Sequence, residues 1–239
     1  RKCFQYRKME EVIRRIVDET AGEVMVFPTM WSPFKIASFT YCFAGSDDAA
    51  FMRHCKEAPD AVLTGIQKLA DALADWAKGY MEAGASGIYY SGQFSEPQRF
   101  SKEVWETLVK PSDLQVLNAV KAAKGYNILH ICGEAEHDFR SSPERYADYP
   151  GDLFNWDVHR TGLSLKEGGK LFHAPVLGGL DNHGLLLNGS LEEIASESRR
   201  IISDYGRKGF MLGADCTVPG DIDIARLRAA VDAARESEN

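Results

Sequence analysis

The stretch YNILHICGE, residues 126–134, closes an apolar run with His130 and Cys132 two residues apart and Gly133 directly after them. Along a β-strand, side chains at i and i+2 leave the same face. His130 and Cys132 are therefore expected side by side, looking onto whatever that face covers. The segment before it, SKEVWETLVKPSDLQVLNAVKAAKG (101–125), carries apolar residues at helical spacing, with Pro111 expected to break or kink it. A helix thus leads into a short buried strand, and the same alternation runs along the rest of the chain.

Upstream, MEEVIRRIVDET (9–20) reads as an amphipathic helix ending near Gly22, and EVMVFPTM (23–30) as a short buried strand with Pro28 near its end. PDAVLTGIQKLADALADWAKGYMEAG (59–84) is a helix with an acidic start and Gly84 as its stop; ASGIYYSG (85–92) is a strand. Downstream come the strand GDLFNWD (151–157), a helix around SLKEGGKL (164–171) and the strand APVLGGLD (174–181). SLEEIASESRRIISDYG (190–206) opens with Ser190 and Glu193 at capping-box spacing. The strand GFMLGAD (209–215) and the helix DIARLRAAVDAARES (223–237) finish the pattern.

Short apolar strands alternating with helices indicate parallel βαβ units. About six strands are visible where a (β/α)8 barrel needs roughly eight. Either two units are missing at the N-terminus or the sheet is open and doubly wound. No glycine-rich dinucleotide fingerprint follows a strand, which counts against the second option. GGLDNHG (178–184) is rich in glycine but precedes no clear phosphate-binding helix. No linker or change of composition interrupts residues 1–239, so one domain is expected.

The chain has 239 residues, 44% hydrophobic and 26% charged, with a formal net charge of −7. No basic run supplies the contacts that a phosphate backbone demands, so nucleic acid is not an expected partner. Neither a membrane-spanning stretch nor a secretory signal is visible. The five cysteines, at 3, 42, 55, 132 and 216, do not resemble a disulfide framework, and a cytoplasmic location with reduced thiols is expected. The chain opens on Arg1 rather than Met, as a processed chain or a fragment does.

In a parallel barrel the active site forms at the C-terminal ends of the strands. Taken in order, those ends offer Phe27 to Ser32, then Tyr89, Tyr90 and Ser91 with Glu96 beyond them, then His130 and Cys132. Asn155, Trp156 and Asp157 follow, then Gly179 with Asp181, and finally Asp215 and Cys216. One imidazole and two thiolates from His130, Cys132 and Cys216 suit zinc, and three protein ligands leave a fourth position open for chemistry. Cys132 and Cys216 lie 84 residues apart, so this is no zinc-finger knuckle. The plain alternative is burial, since cysteine without a disulfide is among the most buried residue types.

Several of these segments together resemble the uroporphyrinogen decarboxylase superfamily: EAGASGIYYSG with SEPQRFSKEVWETLVKPS, LHICGE, FNWD, VLGGLDNHGLLLNGSLEEI and GFMLGADCTVPGDI. The similarity runs in order from about residue 23 to the C-terminus. It implies a (β/α)8 TIM barrel and one of two activities. One is metal-free decarboxylation of uroporphyrinogen III in porphyrin biosynthesis. The other is zinc-dependent methyl transfer from a methylcobamide, carried by a corrinoid protein, to a small thiol such as coenzyme M. The decarboxylases typically carry Gly-His-Gly where this chain has GADC. The methyltransferases carry His-x-Cys and a later Cys, which His130, Cys132 and Cys216 match. The methyltransferase branch is therefore the expectation.

The decarboxylase signature with its substrate-binding arginines belongs to the first strand of the family barrel, and no such segment is visible here. Decarboxylation, or corrinoid or tetrapyrrole binding without turnover, stays as the alternative. Zinc in such a centre activates a thiol rather than water, by removing its proton and holding the sulfur as nucleophile. Asp157, Asp181 and Glu96 are candidates to orient substrate or ligate metal, although an acid at a strand end also serves as a helix cap or loop anchor. His137, His159, His173 and His183 read as loop or surface residues, and His54 with Cys55 as a solvated helix entry. A homodimer is among the assemblies the resemblance allows.

Overall fold

The computed structural model of the chain describes residues 3–43, 48–133 and 140–236. His137 lies outside the described residues. Six strands form one sheet in chain order: β1 (Thr29–Trp31), β2 (Gly87–Gly92), β3 (Tyr126–Ile131), β4 (Leu153–Trp156), β5 (Val176–Leu180) and β6 (Phe210–Ala214). The pairs β1–β2, β4–β5 and β5–β6 are parallel. Strand after strand separated by helix is the element order of a (β/α)8 barrel, of which six strands lie here. The chain divides into two compact units, Arg1–Leu129 with Tyr149–Asp152, and His130–Asp148 with Leu153–Asn239. Among the described residues no helix is long and apolar enough to cross a membrane.

The first unit is built on α4 (Pro59–Glu82). Its Val62, Ile66, Ala70, Leu73, Ala77 and Tyr80 recur at steps of three or four, so one face is buried from end to end. Against it lie α1 (Phe4–Glu19), α2 (Pro33–Phe43), α3 (Asp48–Glu57) and α6 (Lys110–Ala122). Phe34 is fully buried and meets Phe51, Phe94 and Phe100 edge-on at ring separations of 5.0–5.6 Å. Such edge-to-face pairs add about 0.5–1.5 kcal/mol each beyond the area they bury. Gly79 lets α1 approach, because a Cβ there would overlap the Tyr6 hydroxyl.

Two expectations are corrected in this unit. The strand proposed over 23–30 is limited to Thr29–Trp31. Ser86 N–H donates to the Val26 carbonyl and Tyr89 N–H to that of Pro28, but Pro28 has no N–H to return. Val24 and Met25 are left exposed. At Pro111, where a break or a kink is expected, the helix is widened rather than broken. A short helix α5 (Lys102–Val104) widens into a π-turn over Trp105–Val109 and continues as α6, with Pro111 in its first turn, where an N–H is dispensable. Cys55, expected to be solvated, is buried.

On α6, Asp113 is fully buried and accepts hydrogen bonds from the hydroxyls of Tyr90, on β2, at 2.6 Å and of Tyr149 at 3.1 Å. Burial raises its carboxyl to about 7 against the pull of those two donors.

The second unit packs β4, β5 and β6 under α8 (Leu165–Phe172), α10 (Leu191–Tyr205) and α11 (Ile224–Glu236), with two short helices, α7 (Val158–Thr161) and α9 (Leu185–Asn188), in the loops. Its core gathers Leu180, Leu186, Ile194, Ile201 and Ala230. Each buried Leu or Ile there contributes about 1.5–3 kcal/mol relative to exposure. The capping box expected at Ser190 and Glu193 is present, and Ser164 and Glu167 form a second at the start of α8. The register aligns Asn155 with Leu177 and Leu180 with Ala214, so β5 and β6 end level with each other.

Candidate metal centre

β3 presents His130 as a buried side chain and Cys132 as a half-buried one just past the strand. Cys216 follows β6 by two residues and is also half-buried. All three belong to the second unit. His130 Nε2 lies 3.4 Å from Cys216 Sγ, and the two sulfurs are 3.9 Å apart. The three candidate ligand atoms all fall within 4.8 Å of one another. A tetrahedral zinc with bonds of about 2.0–2.3 Å needs N···S and S···S edges of about 3.5 and 3.8 Å. The two measured edges match within about 0.1 Å. One nitrogen and two sulfurs are also a donor set that a soft or borderline cation prefers.

The second ring nitrogen of His130 meets Asn155 Oδ1 on β4. The Asn155 amide in turn donates to the carbonyls of Leu177, 2.9 Å, and Ala214, 3.1 Å. The thiol of Cys216 sits well below the ordinary thiol range. The hydrogen bond from Cys132 is the largest cause and the Thr217 N–H adds to it, while burial opposes it. A sulfur that readily gives up its proton is the form that binds a cation. None of the five cysteines is joined to another in a disulfide.

Asp215, buried beside Cys216, anchors this strand end. Its Oδ1 accepts from Gly179 N–H at 2.6 Å, and its Oδ2 from Val158 N–H at 2.9 Å and His159 Nδ1 at 2.8 Å. His159, expected to be a mere loop residue, is 44% exposed by side chain yet fixed to that carboxylate, which raises it above the usual imidazole range. Asp157, His159 and Asp215 thereby form a second close group. The signal for it in the sequence is the pair Asp157 and His159 following a strand. It does not single out Asp215, whose oxygens are already occupied by backbone and ring N–H groups.

Asp157 caps α7, accepting from Arg160 N–H at 2.9 Å. Burial raises its carboxyl, with the negative Asp215 and Cys216 adding to the rise. Asp181 anchors its own loop through His183 and Gly184 N–H groups. Glu96 lies in the first unit, fully buried, its carbonyl accepting from the Arg99 and Phe100 N–H groups. His173 and His183 are exposed, as expected for loop residues.

A parallel β/α protein with a His-Cys-Cys cluster at its strand ends is the class that fold and site define. The uroporphyrinogen decarboxylase (URO-D) family model matches residues 5–237, and the chain belongs to that family. Among curated proteins it is similar to the methylcobamide:CoM methyltransferase MtbA of Methanosarcina acetivorans, 21% identical over 94% of this chain and 62% of that protein. It is likewise similar to the MtbA of Methanosarcina mazei, 23% identical over 92% of this chain and 61% of that protein. The chain thus spans about three fifths of the length of these relatives. A solved structure, a methyltransferase from Methanosarcina mazei, superposes with a TM-score of 0.79 at 20% identity, covering 96% of this chain and 64% of that one. That likeness shows the fold.

Proposed function

We propose that the chain carries the zinc centre of a methyltransferase that moves a methyl group from a corrinoid protein to a small thiol. The observation carrying this reading is the agreement of the His130–Cys216 and Cys132–Cys216 separations with the edges of a zinc tetrahedron. The likeness to methylcobamide:CoM methyltransferases supports the choice of donor and acceptor. His130, Cys132 and Cys216 would hold the ion. Zinc bound there would offer a fourth position at which a thiol loses its proton and becomes the stronger nucleophile.

The protein's own groups prepare that position. Two thiolates from Cys132 and Cys216 would balance the ion's charge, so a substrate thiolate added there would carry the excess and stay electron-rich. Asp215 holds the Cys216 strand end against β5 and the start of α7. Asp157, whose carboxyl is raised by burial with the negative Cys216 contributing, would hold a proton released close to the cluster. A cytoplasmic setting, which keeps thiols reduced, suits such a centre.

The test is metal analysis of the purified protein, followed by methyl transfer from methylcobalamin to coenzyme M. About one zinc per chain, lost with activity on chelation and restored by zinc, is expected. A metal-free protein that decarboxylates a porphyrinogen would replace this reading with the metal-independent one.

A further inference from the structure

We propose that Asn155 is a positioning residue that locks His130 in its Nδ1–H tautomer and ties the imidazole to the strand end bearing Cys216. The inference takes its purpose from the metal reading above and its substance from hydrogen-bond geometry. Asn155 is fully buried on β4. Its Nδ2 donates to two main-chain carbonyls, Leu177 on β5 and Ala214 on β6. Turning the amide over would set its oxygen against both carbonyl oxygens, so the orientation is fixed by the backbone. Oδ1 is then the atom facing His130 Nδ1. An amide oxygen only accepts, so Nδ1 must carry the proton.

The consequence falls on the other nitrogen. In a neutral imidazole with Nδ1 protonated, Nε2 keeps its lone pair, and Nε2 is the atom 3.4 Å from Cys216 Sγ. An unrestrained imidazole prefers its proton on Nε2, where it would point at the cysteines and have to be moved before a cation could bind. An amide also performs this task without charge. A carboxylate at the same place would put a third negative group beside two thiolates in a buried pocket. The backbone is shaped to admit the amide. Gly178 has φ +143°, and a Cβ there would stand 3.3 Å from Asn155 Nδ2 and 3.2 Å from Asp215 Oδ1. Ala214 precedes Cys216 by two residues, so one side chain links the ring on β3 to the chain that delivers the second sulfur.

The experiment is 15N NMR of the metal-free protein labelled in histidine, at about pH 8.5 where imidazole is neutral, with zinc affinity measured in parallel by chelator competition. His130 in the parent protein is expected as Nδ1–H, and a His130 carrying its proton on Nε2 overturns the proposal without any variant. In Asn155→Leu the proton should move to Nε2, and zinc affinity should fall roughly 10–100-fold. An Asn155→Leu protein that keeps Nδ1–H, or that changes tautomer with no loss of affinity, also refutes it. If no zinc binds to the parent protein, the metal reading fails, while the tautomer spectra still decide what Asn155 does.

Discussion

Asp113 offers a direct test of how burial and hydrogen bonding compete in the first unit. Its carboxyl is raised from the ordinary 3.8 to about 7, burial being the main cause. The folded state therefore keeps a proton that the unfolded chain gives up above about pH 4. Between about pH 4 and 7 unfolding releases that proton, so stability falls as pH rises. The contribution is fully present below about pH 4 and gone above about pH 7. A rise of this size separates the two protonation states by about 4 kcal/mol, at 1.36 kcal/mol per pH unit. Asp113→Asn removes the titration while keeping the shape. Urea unfolding at a series of pH values should show the parent protein losing on the order of 4 kcal/mol more than the variant across that range. Tyr149→Phe removes a donor that favours the ionised form, and should push the decline to higher pH. Parallel profiles for the parent and Asp113→Asn would refute the reasoning, and would mean that the carboxyl is ionised in the fold at acidic pH.

Two further outcomes concern the second unit. Cys216→Ser should bring zinc content to well below one per chain, by metal analysis, while the circular dichroism spectrum stays that of the parent, because Cys216 lies beyond β6 rather than in the core. The His159 imidazole should titrate by proton NMR above the usual 6.5, and Asp215→Asn should bring it down, since the Asp215 hydrogen bond is the largest cause of its rise.

Much of the framework was legible because it depends on local rules. Helical spacing marked α4 and α10, capping chemistry marked the start of α10, and short apolar runs between helices marked β2 to β6. Strand parity alone predicted that His130 and Cys132 would share a face. EVMVFPTM misled because its apolar content suits a strand, whereas Pro28 removes one ladder donor and shortens the strand to three residues. Asp113 was open to detection and missed. With Val116, Leu117 and Val120 it occupies steps of three, four and seven on the buried face of α6. An acid on an apolar stripe predicts a buried partner, but those partners come from β2 and from a loop 36 residues on.

The candidate site divides along the same line. Residue types and strand ends pointed to His130, Cys132 and Cys216, because the chemistry of soft ligands is written in side chains. What holds those ligands is set by register between strands, which no single segment contains. Asn155 reaches His130 from β4 only because β5 and β6 bring Leu177 and Ala214 under its amide. Asp215 reads as one more acid at a strand end until Gly179 of β5 and Val158 and His159 of α7 are seen converging on it. A buried polar side chain is stable only where its neighbours satisfy it. The residues that tune the cluster are therefore the ones whose meaning emerges last. Surroundings of this kind are what the proposed ligand site requires and what two cysteines close by chance do not. A chance pair of buried thiols needs no amide aimed at the neighbouring imidazole, and no carboxylate pinning the second sulfur's strand.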